Sequence, residues 1–380
     1  MNTLTGLIPT IYTALDVVRR ELIGFTPNIA VDAAASGAAI GQTVTAHVVP
    51  QGELEDIVPG PIPANTGDQE IGTVGVKITQ SKAYPVRWTG EEQLALSANG
   101  QYNAVLADQF AQGFRTLSNA VESDIAALYR QVARGIGADG ATLFGTKDNH
   151  KDWANANKVL DKLGCPQSGR VMIVDSEARA NIEGIQSGLF HVNEAGDAGA
   201  MLRDRQMRTI HGFTMGYSAG ITSHAASAAT GYLVNNAGGY AAGARVIALD
   251  GGTGTLVAGD VVTFEGDPTE YVVESLAGGD LTLNAPGLAR AVADNAAVTV
   301  LGDFTANAFF HRNAFLLAAR APAMPAGGDE ADDVMTVTDP VSGISFQIAM
   351  YRQYRQIKYE IGLAWGVDAP NPALAGVLRG

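Results

Sequence analysis

Residues 304–320 read FTANAFFHRNAFLLAAR. Phe304, Phe309, Phe310 and Phe315 sit among alanines and leucines, and no recognisable catalytic motif interrupts them. The stretch reads as packing and docking surface. The opening segment LIPTIYTALDVVRRELIGF (7–25) has the same character. Its apolar positions Ile8, Ile11, Tyr12, Leu15, Val18 and Leu22 fall mainly three and four apart, which predicts a short amphipathic helix over 8–22. Pro9 is compatible with the first turn of that helix. A helix of this kind needs a partner surface, on its own fold or on a neighbour. Together the two segments point to a chain whose function lies in what it adheres to rather than in what it converts.

Composition agrees with that direction. The chain has 380 residues, 46% of them hydrophobic and only 17% charged, against roughly a quarter charged in ordinary soluble domains. Length alone suggests roughly two to three domains. Surface this poor in charge suits large subunit interfaces. The net charge of −14 repels phosphate backbones and argues against tight nucleic-acid binding over the whole surface. A local basic patch at Arg203, Arg205 and Arg208 reads more simply as a solvated or ion-paired turn. The single cysteine, Cys165, excludes an intramolecular disulfide and fits a reduced compartment. No run of about 18 apolar residues exists, so no membrane span is expected, and the N-terminus lacks the basic start of a signal peptide. The chain is expected to be cytosolic when made.

Outward from the ends, TVTAHVV (43–49) and TVGVKIT (73–79) alternate, with Val44, Ala46 and Val48 on one face and Val74, Val76 and Ile78 on the other strand's face. Between them QGELEDIVPGPIPANTGDQE carries Pro59, Pro61 and Pro63 and no helical pattern. The pair predicts a long two-stranded β-arm with an irregular tip. An isolated hairpin is barely stable in water, so the arm is expected to lie across something else. Leu106, Phe110, Phe114, Leu117, Val121, Ile125, Leu128 and Val132 then step by three and four. They predict one spine helix of about 45 Å within 101–134, with Gly113 its weak residue and Gly135 and Gly137 its end. VMIVD (171–175) predicts a buried strand, followed by a helix that the Ser176 hydroxyl caps. RQMRTIHGFTMGY (205–217) predicts a strand with a glycine-containing turn. Four short β runs at 261–264, 271–275, 281–284 and 297–301, separated by Gly, Asp and Pro turns, predict a small all-β barrel or sandwich. ISFQIAMY (344–351) and IKYEIGLAW (357–365) predict a hairpin.

Chemistry is sparse. No Gly-rich phosphate loop, HExxH, GxSxG or CxxC occurs. The six histidines are scattered; His311, flanked by Phe309, Phe310 and Phe315, reads as a packed, hydrogen-bonded side chain. Cys165 reads as a buried inert thiol. Asp329, Glu330, Asp332 and Asp333 lack the order of a calcium loop and read as solvated. Lys77, Lys82 and Asn307 invite the idea of an isopeptide cross-link, but two lysines and an asparagine are not a motif. No cofactor, no metal site and no catalytic residue is expected.

The segments in hand resemble a known family. LIPTIYTALDVVRRELIGF (7–25), TVGVKITQSKAYPVRWT (73–89), RTIHGFTMGYS (208–218), GDVVTFEG (259–266) and TANAFFHRNAFLLAAR (305–320) are similar, in order and joint presence, to the major capsid proteins of tailed bacteriophages. The likeness is to the Johnson fold and, within it, the coat-protein branch of short-tailed phages with an inserted β-barrel domain. The resemblance implies an α+β fold with an N-terminal arm (1–40) and an extended β-loop (41–90). It implies a peripheral domain with the spine helix (91–150 and 304–380). It implies an α/β axial domain (151–303) that contains an inserted all-β domain (246–303). It implies a structural, non-enzymatic protein that self-assembles as pentamers and hexamers into an icosahedral virion shell around double-stranded DNA. Assembly would occur in the host cytoplasm, through a procapsid that expands, with scaffolding and portal proteins as partners and no sequence specificity toward the DNA. Lys77, Lys82, Arg87 and Trp88 are the candidate assembly residues, with no covalent cross-link expected. Two other readings remain at this point. One is an encapsulin-type bacterial compartment. The other is a metal-assisted hydrolase using His211 and the 329–333 carboxylates.

Overall fold

The computed structural model describes residues 11, 14, 24–48, 59, 72–98, 102–138, 140–186, 209–325, 331–339 and 343–380. Strands β1 (Ala30–Ala38), β2 (Thr43–Val48), β3 (Gly72–Lys77) and β4 (Gln80–Thr89) come first, then helices α1 (Gly90–Ala98) and α2 (Tyr102–Ala126). β5 (Arg134–Ile136), α3 (Lys151–Lys162), β6 (Arg170–Val174), α4 (Ser176–Ile185), β7 (Thr209–Ile210), β8 (Phe213–Tyr217) and β9 (Ser223–His224) follow. Next come β10 (Leu233–Val234), β11 (Val246–Asp250), β12 (Val261–Phe264), β13 (Asp267–Ala277), β14 (Asp280–Leu283) and β15 (Val298–Val300). The chain closes with β16 (Phe304–His311), β17 (Leu316–Pro322), β18 (Asp333–Thr338), β19 (Ser345–Gln353), β20 (Gln356–Asp368) and β21 (Ala375–Arg379). The architecture is mixed α+β, with few helices and large sheets.

The aromatic segment 304–320 is the joint of this architecture. Its first half, β16, pairs with β21, β6 and β9 in one sheet. Its second half, β17, pairs with β1 and β20 in another. Phe310 and Phe315 meet across the intervening turn with ring centroids 4.8 Å apart. Both are fully buried, so the two sheets share one continuous core.

Helix α2 lies over that core. The predicted stripe is buried at every position from Leu106 to Val132. The α-helix itself ends at Ala126, shorter than predicted, and the chain tightens into a 3-10 turn over Ala127–Gln131. The tightening has a physical cause. Residues 134–136 must become extended to pair with β13 and β21, and a last 3-10 turn is a common way to leave a helix. The Asn284 amide donates to the carbonyls of Arg130 and Val132, satisfying groups the helix end leaves free. Gly113 is not a defect: a Cβ there would stand 2.7 Å from Ile361 and 2.8 Å from Tyr84. Its missing side chain lets helix and sheet approach.

One buried carboxylate fixes the register of α2. Glu122, 5% exposed, accepts from the backbone of Phe25 (2.9 Å) and Thr26 (2.7 Å), from the Thr26 hydroxyl, and from Ser218 Oγ (3.0 Å). Upstream, Ile11 and Ala14 are helical and buried in the same core; the rest of the predicted 8–22 helix lies outside the described residues, as does the 51–58 and 60–71 stretch of the arm.

The hairpin prediction holds, with β19 and β20 paired antiparallel around Tyr354 and Arg355. The turn at His211 and Gly212 joins β7 to β8. The cap of α4 is a correction: Asp175, not Ser176, accepts from the Ala178 N–H at 3.0 Å. The residue before the helix has the extended backbone a cap needs, whereas Ser176 is already helical.

The short β runs form a ring with its own core. β11, β14, β13, β12 and β15 pair in succession. β10 pairs with β11 and closes the ring through Val234 N to Ala296 O (3.0 Å) and Val298 N to Tyr232 O (2.9 Å). Its core runs from Ala229 to Val298, beginning upstream of residue 246. The pairing of β13 with β5 stitches the ring to the main sheet.

Two substitutions test this packing. Phe114, fully buried and edge-on to Phe346 at 5.0 Å, should cost about 3–5 kcal/mol as Phe114→Ala, a large part of a typical stability of about 5–15 kcal/mol. An unchanged melting temperature would place that side chain at an intersubunit surface instead. Glu122→Gln keeps the shape but aims an NH₂ donor at donors. A loss of about 1–3 kcal/mol in denaturant unfolding is expected, and no loss would dismiss Glu122 as the anchor.

Candidate functional site

Strands β2 and β3 pair with each other from Thr43–Lys77 to Val48–Gly72 and form a sheet of their own. The ladder is seated only at its base. Val76 and Ile78 pack with Ala38, Ala318 and Ala364 on the outer face of the β17–β20 sheet. Gly41 N donates to Ile78 O, Ile78 N to Gln42 O, and Thr79 N to Trp365 O at 3.1 Å. The seat depends on one small residue. A Cβ on Gly366 would lie 2.0 Å from the Lys77 carbonyl oxygen, so the arm backbone crosses β20 where there is no side chain.

The four candidate assembly residues part company here. Lys77 is exposed on β3. Lys82, Arg87 and Trp88 lie not on the two-stranded ladder but on β4, which pairs along β20. Lys82 is exposed, with its ammonium 5.5 Å from the centroid of the Trp365 ring. Arg87 is exposed opposite Lys358. Trp88 faces the other way: it is buried, donates to Gln109 Oε1 at 2.9 Å and meets Tyr102 edge-on. It therefore holds α2 to β4 inside the subunit. The pleat decides this, because Val86 and Trp88 share the face that α2 covers. Asn307 is buried, and its hydrogen bonds go to Asp175 N and Thr305 O rather than to a lysine.

Solved structures similar to this chain include one from Mycobacterium phage Che8, at 13% identity, covering 89% of this chain and 84% of that one, with a TM-score of 0.44. The mature capsid of bacteriophage PhiM1 is similar at 10% identity, covering 93% and 86%, with a TM-score of 0.45. A virus-like particle from Pyrococcus furiosus is similar at 8% identity, covering 97% and 98%, with a TM-score of 0.43. No family model and no curated protein matches the chain. At TM-scores below 0.5 these likenesses leave the functional reading to the chain's own geometry.

The titratable clusters are fasteners. His224 Nδ1 meets the Tyr129 hydroxyl at 2.8 Å and its Nε2 meets Asp260 Oδ1 at 3.0 Å. Burial alone would raise the Asp260 carboxyl, but hydrogen bonds from His224, Ser227 and the Val257 backbone outweigh it and hold the group low. This chain ties the end of α2 to the β ring and is fully enclosed. His211 sits 2.6 Å from His150 and stacks on Trp153. Burial and then His150 lower its pKa. Asp332, by contrast, accepts from the Arg352 N–H on β19. The hydrolase reading needed His211 beside the 329–333 carboxylates, and the two described parts of that set belong to different sheets. Asp329, Glu330, Arg203, Arg205 and Arg208 lie outside the described residues. Among the described residues no group of three His, Cys, Asp or Glu side chains is placed to hold a metal. Burial pushes the Cys165 thiol up, against the pull of Arg170, as an inert thiol requires. His311 is half-buried and accepts from Asn313 N at 3.2 Å.

A cleft of about 620 Å³ opens between α3 and the β ring. Arg134, Lys158, Lys162 and Arg290 line it, with Glu270 as the single acidic lining residue. Sequence reasoning missed it because its cations come from β5, α3 and the segment after β14, which have no common spacing.

Gly366→Ala should lift the arm from its seat at a cost of about 1–3 kcal/mol. Hydrogen exchange should speed up at the amides of Ile78 and Thr79 while the amides of β19 stay protected. Unchanged exchange at Ile78 would mean that the arm does not depend on this crossing.

Proposed function

We propose that this chain is the repeating subunit of a viral shell, the major capsid protein of a tailed bacteriophage. The observation that carries the reading is the arm. It is a separate two-stranded sheet, fastened at its base by a small apolar cluster, while the rest of its ladder pairs with no other strand among the described residues. A ladder of two strands is marginal in water, so its stability belongs to an assembly. The low share of charge and the element order support the same reading. An N-terminal segment, an arm, a spine helix over two sheets, a β ring and a terminal hairpin follow one another as in the family resembled above.

On this reading the N-terminal arm spans 1–40 and the extended β-loop 41–90. The peripheral domain spans 91–150 with 304–380. The axial domain spans 151–303, with the insertion at 246–303, or from 229 if its core defines it. Pentamers and hexamers close an icosahedral virion shell around double-stranded DNA. Assembly runs in the host cytoplasm through a scaffolded procapsid that expands, with a portal at one vertex. Lys77, Lys82 and Arg87 are the exposed assembly residues, and the protein is not an enzyme.

Electron microscopy of purified protein tests this, with closed icosahedral particles expected in the absence of ATP or metal. Light scattering that shows only monomers at every salt concentration, with or without scaffold, would sink it. Particles that carry an enzyme cargo and no nuclease-protected DNA would instead favour an encapsulin-type compartment.

A further inference from the structure

Two histidines stand where local structure asks for other residues. His150 occupies the N-cap of α3, yet its side chain caps no N–H of that helix. Ser, Thr, Asp or Asn is the usual choice there. His211 is the first residue of the two-residue turn between β7 and β8, and φ is positive at both turn residues, 49° at His211 and 83° at Gly212. Such turns favour Asn, Asp or Gly, because a larger side chain is strained in the left-handed region. The two misfits meet. His150 Nδ1 lies 2.6 Å from His211 Nε2. The rings are edge to face with centroids 4.7 Å apart, and the Trp153 ring stacks on His211 at 5.8 Å. The Asn157 amide donates to the His211 carbonyl at 2.9 Å and holds the backbone of the turn to the same helix. A strained residue persists where its surroundings over-determine it, and here the surroundings are the second imidazole, Trp153 and Asn157.

A hydrogen bond between imidazoles needs one N–H and one bare nitrogen. It survives when the pair is neutral and when the pair holds one extra proton. It is lost when both rings are charged, because both nitrogens then carry hydrogen and like charges face each other. The second charge also places a cation at the N-terminus of α3, where the helix dipole opposes it. The charged residues on the elements around the pair are Lys147 and Asp148 on the preceding loop, Lys151, Asp152 and Lys158 on α3, and Arg170 on β6. β7 and β8 carry none. Asp152 accepts from Phe144 N, and Arg170 donates to Asn157 and Asp161. Burial first, and then His150, hold the His211 pKa below its ordinary 6.5. We propose that His150 and His211 form an acid-released clasp, which pins the β7–β8 turn to the start of α3 at neutral pH and frees it when both rings are protonated. β7 is the last strand of its sheet and meets β8 through two residue pairs. Release bares Ile210, otherwise 5% exposed, and leaves β8 as an open sheet edge. Because the folded pKa of His211 is lowered, the clasp stabilises the closed turn above about pH 6.5 and is lost as pH falls through that lower value. The clasp goes beyond the shell-subunit reading and does not depend on it.

Hydrogen exchange of the purified full-length chain, corrected for the intrinsic effect of pH, tests the clasp. Protection of residues 209–214 should fall about tenfold or more between about pH 7.5 and about pH 5, while the β6 amides 171–174 stay protected. His211→Asn supplies a residue suited to the left-handed turn, and His150→Asn one suited to the N-cap. Circular dichroism should show both variants folded, and each should lose the pH-dependent step at 209–214. A wild-type chain without the step overturns the proposal, as does either Asn variant that keeps it. Imidazole nitrogen NMR on the wild-type chain gives an independent reading. His211 should take up its proton below the ordinary 6.5, and protonation at or above that value would also overturn the clasp. Neither readout requires particles to form, so failure of the clasp is distinguishable from failure of the shell reading.

Discussion

A carboxylate without solvent must be satisfied or it destabilises everything around it. Glu122 meets this condition from several directions at once. It takes two backbone N–H groups at the start of the 25–28 turn and two hydroxyls, Thr26 and Ser218. The helix that carries it therefore cannot slide or rotate without leaving donors and acceptor unpaired. That one constraint aligns the N-terminal segment, the loop after β8 and the stripe from Leu106 to Ile125. The stripe then sets where the two sheets meet. Gly24 belongs to the same constraint, since a Cβ there would stand 2.4 Å from Glu122 Oε2.

From that fixed helix the remaining architecture follows by sharing strands and fasteners. The 304–320 segment serves one sheet and then the other, with Phe310 stacked on Phe25 at 5.9 Å as it crosses. The β ring is held to the end of α2 by the Asn284 amide and by the Tyr129, His224 and Asp260 chain. Tyr271 is wedged between Arg134 and Asp267, and its hydroxyl is pushed up to about 12, by burial first and then by the Asp267 hydrogen bond. Groups that resemble catalytic parts in isolation thus act here as enclosed joints.

The arm departs from this economy of shared contacts. Its ladder is regular and its base is packed, yet it rests on the body over a patch of alanines and one glycine. Small residues at Ala318, Ala364 and Gly366 let the arm backbone lie close, and the contact area stays limited. A fold that invests one of its sheets in so small a seat leaves most of that sheet's binding capacity for other surfaces.

Much of this was legible in the residues themselves. The period of Leu106 to Val132 located the spine helix, alternation located the 344–365 hairpin and the β2–β3 ladder, and turn residues located the β ring. These are local signals, because period and turn chemistry depend on neighbours a few positions away. The tertiary structure alone decided what depends on residues far apart in the chain. Glu122 and Thr26 are separated by 96 positions, and Arg320 and Asp32 by 288. It decided that Trp88 points under α2 while Arg87 points out, since sequence alternation assigns two faces but not which one a helix covers. It decided that α2 yields to a 3-10 turn, because the demand for extended backbone comes from strands β13 and β21. It gathered Arg134, Lys158, Lys162 and Arg290 at one cleft, for which no spacing in the sequence exists. Pattern is a property of a segment, and a site is a property of the space that several segments enclose.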